Sequence, residues 1–289
     1  MNSPSFLLSP AKVNLFLRVL RKRDDGYHDI ITLMQPITLH DEISIEVGSG
    51  AGVSVSCDSV DVPDGSENLA CMAAEALLKS AYIEKKIKIR IKKNIPVAAG
   101  LGGGSSNAAT VLTGLNGILK AGLSEAELLD MGGRLGADVP FFMFGGPAVA
   151  SGKGTELERV KLPRYRYVLV NPGFKVSTAW AYNNLDLTKE SKNNMLPYSA
   201  GDFNDMERLK DYLVNDLETV TLREHPEISS LKKALIENGA SAALMSGSGP
   251  TVFGIFRDEG VARSACKALK KRLDARHSIF LTEGIEGRP

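Results

Sequence analysis

Residues Pro96-Val97-Ala98-Ala99-Gly100-Leu101-Gly102-Gly103-Gly104-Ser105-Ser106 set four glycines, three of them consecutive, between an alternating segment and an apolar helical pattern. Glycine takes positive φ without steric cost and lets a ligand come close to the backbone. Successive N–H groups in such a run can converge on one anion. A helix expected to begin near Ser105 adds unpaired amides and the positive end of its dipole. The hydroxyls of Ser105 and Ser106 can donate hydrogen bonds or help to hold Mg²⁺. This chemistry suits a polyphosphate. No lysine follows the glycines, which excludes the G-x-x-x-x-G-K-[ST] loop. Ser105 stands where a dinucleotide fingerprint starting at Gly100 needs glycine or alanine. An ordinary flexible turn is the other reading, and it needs fewer glycines than this.

Transfer of a phosphoryl group to a hydroxyl requires a base for the hydroxyl proton and cations for the spreading charge. Asp138 is a candidate base, in a Gly-Ala-Asp-Val-Pro turn before Phe141-Phe142. Lys12 is a candidate cation, two residues before Asn14. Taken singly, an aspartate before Val-Pro is more often a turn residue, and a strand lysine more often a solvated one. Tyr27-His28, after a glycine turn, offer a flat ring and a polar ring that could bind a heterocycle, or simply pack at a hairpin. Ser246-Gly247-Ser248-Gly249-Pro250-Thr251 is a second Gly/Ser loop, able to cap phosphates or to serve as a plain connection.

The elements that must position these residues are readable in part. Val13, Leu15, Leu17 and Val19 alternate with Lys12, Asn14, Phe16 and Arg18 over 11–20, a strand that sets Lys12 and Asn14 on one face. Residues 24–28 form a turn, and strands are expected at 42–47 and 53–57. A helix over 68–81 carries Leu69, Met72, Ala73, Ala76 and Leu77 on one stripe. Ile87, Ile89 and Ile91 alternate with basic residues over 86–93, and this strand leads into the glycines. Ala108, Val111, Leu112, Leu115 and Leu119 share a face of the following helix. Ser124-x-x-Glu127 is a capping box for the next one, with Gly136 its expected stop. Residues 141–149 read as strand or loop. Further on, 165–170, 241–245, 251–256 and 278–281 are expected strands, and 205–220, 226–238 and 260–273 expected helices. The second half thereby mixes helices with a small antiparallel sheet. Residues 185–205 are polar and without pattern.

Composition narrows the classes. The chain has 289 residues, 43% hydrophobic and 24% charged, ordinary for one large or two modest folded domains. The net charge of +1, from 35 basic and 34 acidic residues, gives no support to a nucleic-acid or membrane-surface partner. Cys57, Cys71 and Cys266 form no C-x-x-C pair, and the four histidines lack metal-ligand spacing, so neither a disulfide framework nor a protein-built metal cage is expected. Met1–Pro10 has no secretory pattern and no run of 18 apolar residues occurs, which points to a cytoplasmic protein.

Taken together, the segments resemble the GHMP kinase family. P-x-x-x-G-L-G-G-G-S-S resembles its ATP-binding motif, and Ser246–Thr251 its C-terminal glycine-rich motif. Ser9-Pro10-Ala11-Lys12-Val13-Asn14-Leu15, Gly26-Tyr27-His28, residues 100–109 and Gly136-Ala137-Asp138-Val139-Pro140-Phe141-Phe142 extend the resemblance to members acting on a cytidylated alcohol. It spans nearly the whole chain. The resemblance implies an α+β, two-domain fold with its active site in the interdomain cleft, divided as 1–163 and 164–289, with a left-handed β-α-β unit in the first domain. It implies that Asp138 is the base and that Lys12 orients and polarises the reacting groups. Asn14 and, more weakly, Thr178 would touch substrate. Tyr27 would stack on cytidine and His28 would bond its edge. Pro96–Ser106 would wrap the ATP phosphates, with Asn68 and Lys93 or Asn94 also near the nucleotide. The implied reaction converts ATP and a cytidine diphosphate ester to ADP and the 2-phosphate, in the methylerythritol phosphate route to isoprenoids. ATP and Mg²⁺ are the implied co-substrate and cofactor, for a monomer or homodimer. A sibling kinase for mevalonate, homoserine or a sugar would share the ATP loop without needing Tyr27-His28. A non-catalytic ligand sensor on the same fold would be expected to lack Asp138 or an intact loop.

Overall fold

A computed structural model of the chain describes residues 3–187, 203 and 205–287. Most of the unpatterned stretch 185–205 therefore lies outside the described residues. The chain packs into two compact units that interleave along the sequence. The first takes Met1–Ala11, Leu39–Val97 and Gly102–Gly145, and the second Lys12–Thr38, Ala98–Leu101 and Gly146–Pro289. Residues 12–38 and 146–163, on the N-terminal side of the division expected at 163, pack with the second unit. Two long strands, β1 (Ser5–Lys22) and β2 (His28–Gly48), pair with each other, and each contributes to both units.

The first unit also holds β3 (Gly52–Cys57) and β4 (Lys86–Lys92). Glu42–Gly48 of β2 runs antiparallel to β4, and β3 runs parallel to β4. A parallel neighbour needs a crossover. It is supplied by α1 (Leu69–Ser80), which Asn68 caps by accepting from the N–H of Ala70. Ile87, Ile89 and Ile91 of β4 are buried while the alternating basic residues are exposed, as the period-2 pattern requires. They pack under α1 and α2 (Gly103–Leu119). Ala70, Ala73 and Ala74 of α1 and Ala108, Val111, Leu112 and Leu115 of α2 fill this core. Such a site is worth about 2–5 kcal/mol per leucine truncated to alanine. Helix α3 (Glu125–Leu135) starts with the expected reciprocal capping box between Ser124 and Glu127.

Residues 141–149, read from sequence as strand or loop, divide into a short helix α4 (Val139–Phe144) and β5 (Ala148–Ser151). Pro140 in the first turn suits a helix start, and Gly145 at φ 72° ends it. Six apolar residues carry too little period to show a helix from sequence.

The second unit pairs Thr32–Met34 of β2 with β5, and β5 with β6 (Glu156–Arg159). Its other sheet is wholly antiparallel and four-stranded, ordered β10 (Ser278–Glu283), β7 (Arg166–Asn171), β9 (Val252–Phe256), β8 (Ala242–Met245). The small antiparallel sheet expected in the second half is thus present. One face is covered by α8 (Glu227–Glu237) and α9 (Glu259–Arg272), through Ile228, Leu231, Leu235, Ala265 and Leu269. The single helix expected at 205–220 is two, α6 (Met206–Tyr212) and α7 (Asp216–Glu224). Asn215 interrupts it as the cap of α7, accepting from the N–H of Leu217 at 3.0 Å. A short α5 (Thr178–Asn183) precedes them, capped by Ser177. Among the described residues no helix is long and apolar enough to cross a membrane.

Candidate active site

In the first unit the glycine run opens α2 directly. The helix begins at Gly103, two residues ahead of the start expected near Ser105, with Gly102 before it in the left-handed region at φ 72°. Tertiary packing overrides glycine's poor helix propensity here. A Cβ on Gly103 would lie 3.0 Å from Lys93 Nζ and 3.1 Å from Ile95 Cγ2, so a bare backbone is what fits. No side chain caps α2. Its first intrahelical bond runs from the N–H of Ser106 to Gly102 O. The N–H groups of Gly103, Gly104 and Ser105 therefore lack intrahelical acceptors, as at any helix start. Ser106 is buried, and its hydroxyl accepts from Ser9 Oγ at 2.8 Å. Ser105 remains partly exposed.

Asp138 follows α3 in the turn that leads into α4, and it is partly exposed. Its backbone occupies the cap position of α4, but its side chain makes no capping hydrogen bond there. A Cβ on Gly136, two residues earlier, would sit 3.8 Å from Ser105 Oγ. The turn bearing the candidate base thus abuts the start of α2, and the first unit brings these two sequence signals together. Asn68 is buried; beyond capping α1 its side-chain amide donates to Pro63 O at 2.9 Å. Lys93 pairs with Asp41, while Asn94 donates to His40 O at 3.0 Å.

In the second unit Lys12 and Asn14 are only 4% and 2% exposed. The strand reading set them on a polar face; they are instead buried, with Lys12 Nζ donating to Asn14 Oδ1. Asn14 Nδ2 donates to Thr32 Oγ1 at 2.8 Å, and Thr32 Oγ1 donates to Phe16 O at 2.6 Å. The amide oxygen is thereby turned to the ammonium. Residues 98–101 of the glycine loop are fastened through four consecutive carbonyls. The N–H of Val176 reaches Ala98 O and that of Thr251 reaches Ala99 O, both at 3.4 Å. Ser246 Oγ donates to Gly100 O at 2.9 Å, and the N–H of Lys12 to Leu101 O at 3.0 Å. The second Gly/Ser loop is therefore a clamp on the first. Ala98 sits at φ 51°, a conformation that costs a non-glycine residue about 1–2 kcal/mol. Asn215 Nδ2 in turn holds the second loop, donating to Met245 O at 2.8 Å and Gly247 O at 2.7 Å.

His28 is 9% exposed and stacks on Tyr182, with centroids 5.0 Å apart and rings inclined by 27°. Burial, and to a lesser degree the charge of Lys22, pushes its imidazole below the usual histidine value. Tyr27 is 57% exposed, and Lys153 Nζ lies over its ring, 5.1 Å from the centroid. Thr178 Oγ1 lies 3.0 Å from Ser248 Oγ, which ties α5 to the Gly/Ser loop. Thr32, Tyr182, Asn215, Asp41 and Asn107 escape sequence reasoning. Each is an ordinary strand or helix residue until its distant partner is known; only Asn215, before a charged helix start, carries a local capping signal.

Comparison with known proteins identifies the family. Residues 68–146 match the model described as GHMP kinases N terminal domain, and residues 198–275 that described as GHMP kinases C terminal. The chain is 50% identical over 266 residues to the 4-diphosphocytidyl-2-C-methyl-D-erythritol kinase of Syntrophotalea carbinolica, covering 92% of this chain and 94% of that one. It is 50% identical over 269 residues to the enzyme of that name from Geobacter metallireducens, covering 93% and 95%. A crystal structure of a 4-(cytidine 5'-diphospho)-2C-methyl-D-erythritol kinase superposes with a TM-score of 0.82 at 34% identity, covering 97% of this chain and 100% of that one. With both family domains matched in order and half of the aligned positions identical over almost its full length, the chain belongs to the GHMP kinase family.

Proposed function

We infer that this kinase transfers the γ-phosphoryl group of ATP to the 2-hydroxyl of 4-diphosphocytidyl-2-C-methyl-D-erythritol, a step of the methylerythritol phosphate route to isoprenoid precursors. The observation that carries the reading is the 50% identity, over 92% of the chain, to relatives that bear that enzyme's name. The family domains are assigned to 1–163 and 164–289.

The roles proposed for the side chains follow from the demands of phosphoryl transfer. Pro96–Ser106 wraps the phosphates, which the amides of 97–106, above all those opening α2, receive, and Asn68 lies on the nucleotide side. Asp138 accepts the proton of the 2-hydroxyl as the bond to phosphorus forms. Lys12, held by Asn14, orients and polarises the reacting groups. Tyr27 stacks on cytosine. His28, kept neutral by burial, offers one donor and one acceptor to the base edge. Asn14 and Thr178 contact the acceptor.

Among the described residues no three His, Cys, Asp or Glu side chains gather as a metal cage. That donor set suits a Mg²⁺ carried in by the nucleotide, since this ion is usually held by substrate phosphates and one or two protein oxygens. The Ser105 hydroxyl would supply one of those oxygens. The ion, when bound, neutralises charge on the transferring phosphoryl oxygens. The cytoplasm is the proposed compartment, and a monomer or homodimer without nucleic-acid or membrane partners the proposed form.

ATP turnover with the cytidylated alcohol, mevalonate and homoserine as separate acceptors tests the substrate. The cytidylated alcohol is expected to be the one consumed. Turnover of mevalonate or homoserine in its place would overturn the reading.

A further inference from the structure

Asp41, on β2, has no part in the chemistry above, yet its carboxylate accepts from four donors. It is 0% exposed. Its Oδ1 accepts from the backbone N–H groups of Asn94 and Ile95, each at 2.9 Å. Its Oδ2 accepts from Lys93 Nζ and, at 2.9 Å, from Asn107 Nδ2. Asn107 Nδ2 also reaches Ser9 Oγ at 2.9 Å, and Ser9 Oγ donates to Ser106 Oγ. All of these residues belong to the first unit.

Four donors occupy the lone-pair positions of one carboxylate. Without it an ammonium and two backbone amides would be left buried and unanswered. The placement of those donors along the chain is the informative point. Lys93, Asn94 and Ile95 come immediately before Pro96, and Ser106 and Asn107 come where the glycine run ends. One charge therefore ties down the chain on both sides of the loop. A run of glycines loses more conformational freedom on ordering than any other sequence. Its amides stabilise an anion fully only when they are converged before it arrives.

We propose that Asp41 is the positioning residue of the nucleotide loop, holding Ile95 and Asn107 so that the amides of Gly103, Gly104 and Ser105 stand ready for the phosphates. The inference rests on the reading of Pro96–Ser106 as the ATP cradle. Asp41→Asn keeps the shape and removes the charge. Asn107→Ala releases only the arm to α2, and serves if the first variant fails to fold. Each is expected to raise KM for ATP about tenfold or more, the worth of one charge-assisted hydrogen bond, with KM for the cytidylated alcohol unchanged. A lowered melting temperature with an unaltered KM for ATP would show Asp41 to be packing only and overturn the proposal. So would an equal rise in both KM values. Gly104→Asp separates the two layers of the argument. Its Cβ would meet only Leu69 Cδ1, at an ordinary 3.6 Å, and its charge favours the helix while repelling phosphate. If Gly104→Asp binds a non-hydrolysable ATP analogue normally by titration calorimetry, the cradle reading falls and Asp41's role falls with it. If Gly104→Asp weakens binding while Asp41→Asn and Asn107→Ala do not, the cradle stands and Asp41 has no part in it.

Discussion

A Cβ on Gly100 would lie 1.9 Å from the carbonyl oxygen of Ser246. The two glycine-rich loops meet at this point with no room for a side chain, and Gly100 also sits at φ 76°. Gly100→Ala is expected to cost at least about 2–3 kcal/mol, from strain at positive φ and from forced displacement of backbone. Gly117, inside α2 with nothing within 4 Å of its would-be Cβ, provides the contrast. Gly117→Ala is expected to stabilise by about 0.4–1 kcal/mol. Urea denaturation of both variants measures the difference, and a harmless Gly100→Ala would refute the clamp between the loops.

Asp138→Asn is expected to bind ATP normally and to turn over at least about a hundredfold more slowly, the loss of a general base. Asparagine keeps the size and shape of the side chain, so the fold should tolerate the change. Circular dichroism and an ATP-analogue titration establish the first part, and steady-state kcat the second. A near-normal kcat would remove Asp138 from the mechanism.

These residues differ in how far the sequence announces them. The alternation of Ile87, Ile89 and Ile91, the Ser124–Glu127 box and the glycine run act through neighbours one to four positions away, and each is legible before folding. The first half of β2 is not. Pro36 lies within it and has no N–H for a ladder, so the segment before Glu42 reads as broken. Asn107 meets Asp41 across 66 positions, and Asn215 meets Gly247 across 32; no local period encodes either pairing. The interleaving of the two units is likewise a property of long-range packing, since Lys12–Thr38 joins the second unit by contacts that patterning within 12–38 does not encode. The residues of the candidate site were legible as types, and their supports were not.

His28 has a pKa lowered by burial first and by Lys22 second. The unfolded chain therefore takes up a proton near the ordinary value of about 6.5 while the folded protein still refuses it. Above that pH the effect on stability vanishes. As pH falls below it, the unfolded state binds the extra proton and stability declines until the folded pKa is passed. His28→Asn is expected to flatten this part of the stability–pH curve. An NMR titration of the ring should give a midpoint below that of a histidine peptide, and a midpoint at or above it would sink the argument. On the proposed base-edge contact, KM for the cytidylated alcohol should rise over the same acid range.

Lys153 and Asp25 make a last prediction about the ring of Tyr27. Lys153 Nζ stands over that ring and lies 3.3 Å from Asp25 Oδ2, while Asp25 Oδ1 accepts from the N–H of Tyr27 at 3.2 Å. Arg23 also donates to Asp25, at 3.2 Å, and to Asp29, at 2.6 Å. The turn is thus braced by charge, and the ring is oriented although more than half exposed. An exposed cation–π contact is worth about 0.5–1 kcal/mol. Lys153→Met is therefore expected to raise KM for the cytidylated alcohol about two- to fivefold and to leave KM for ATP alone, while Lys153→Arg restores the parent value. Tyr27→Phe should behave as the parent, because stacking needs only the ring, and Tyr27→Ala should be the worst of the four. If Tyr27→Ala binds the cytidylated alcohol as well as Tyr27→Phe does, the ring has no part in holding the base and Lys153 has nothing to orient.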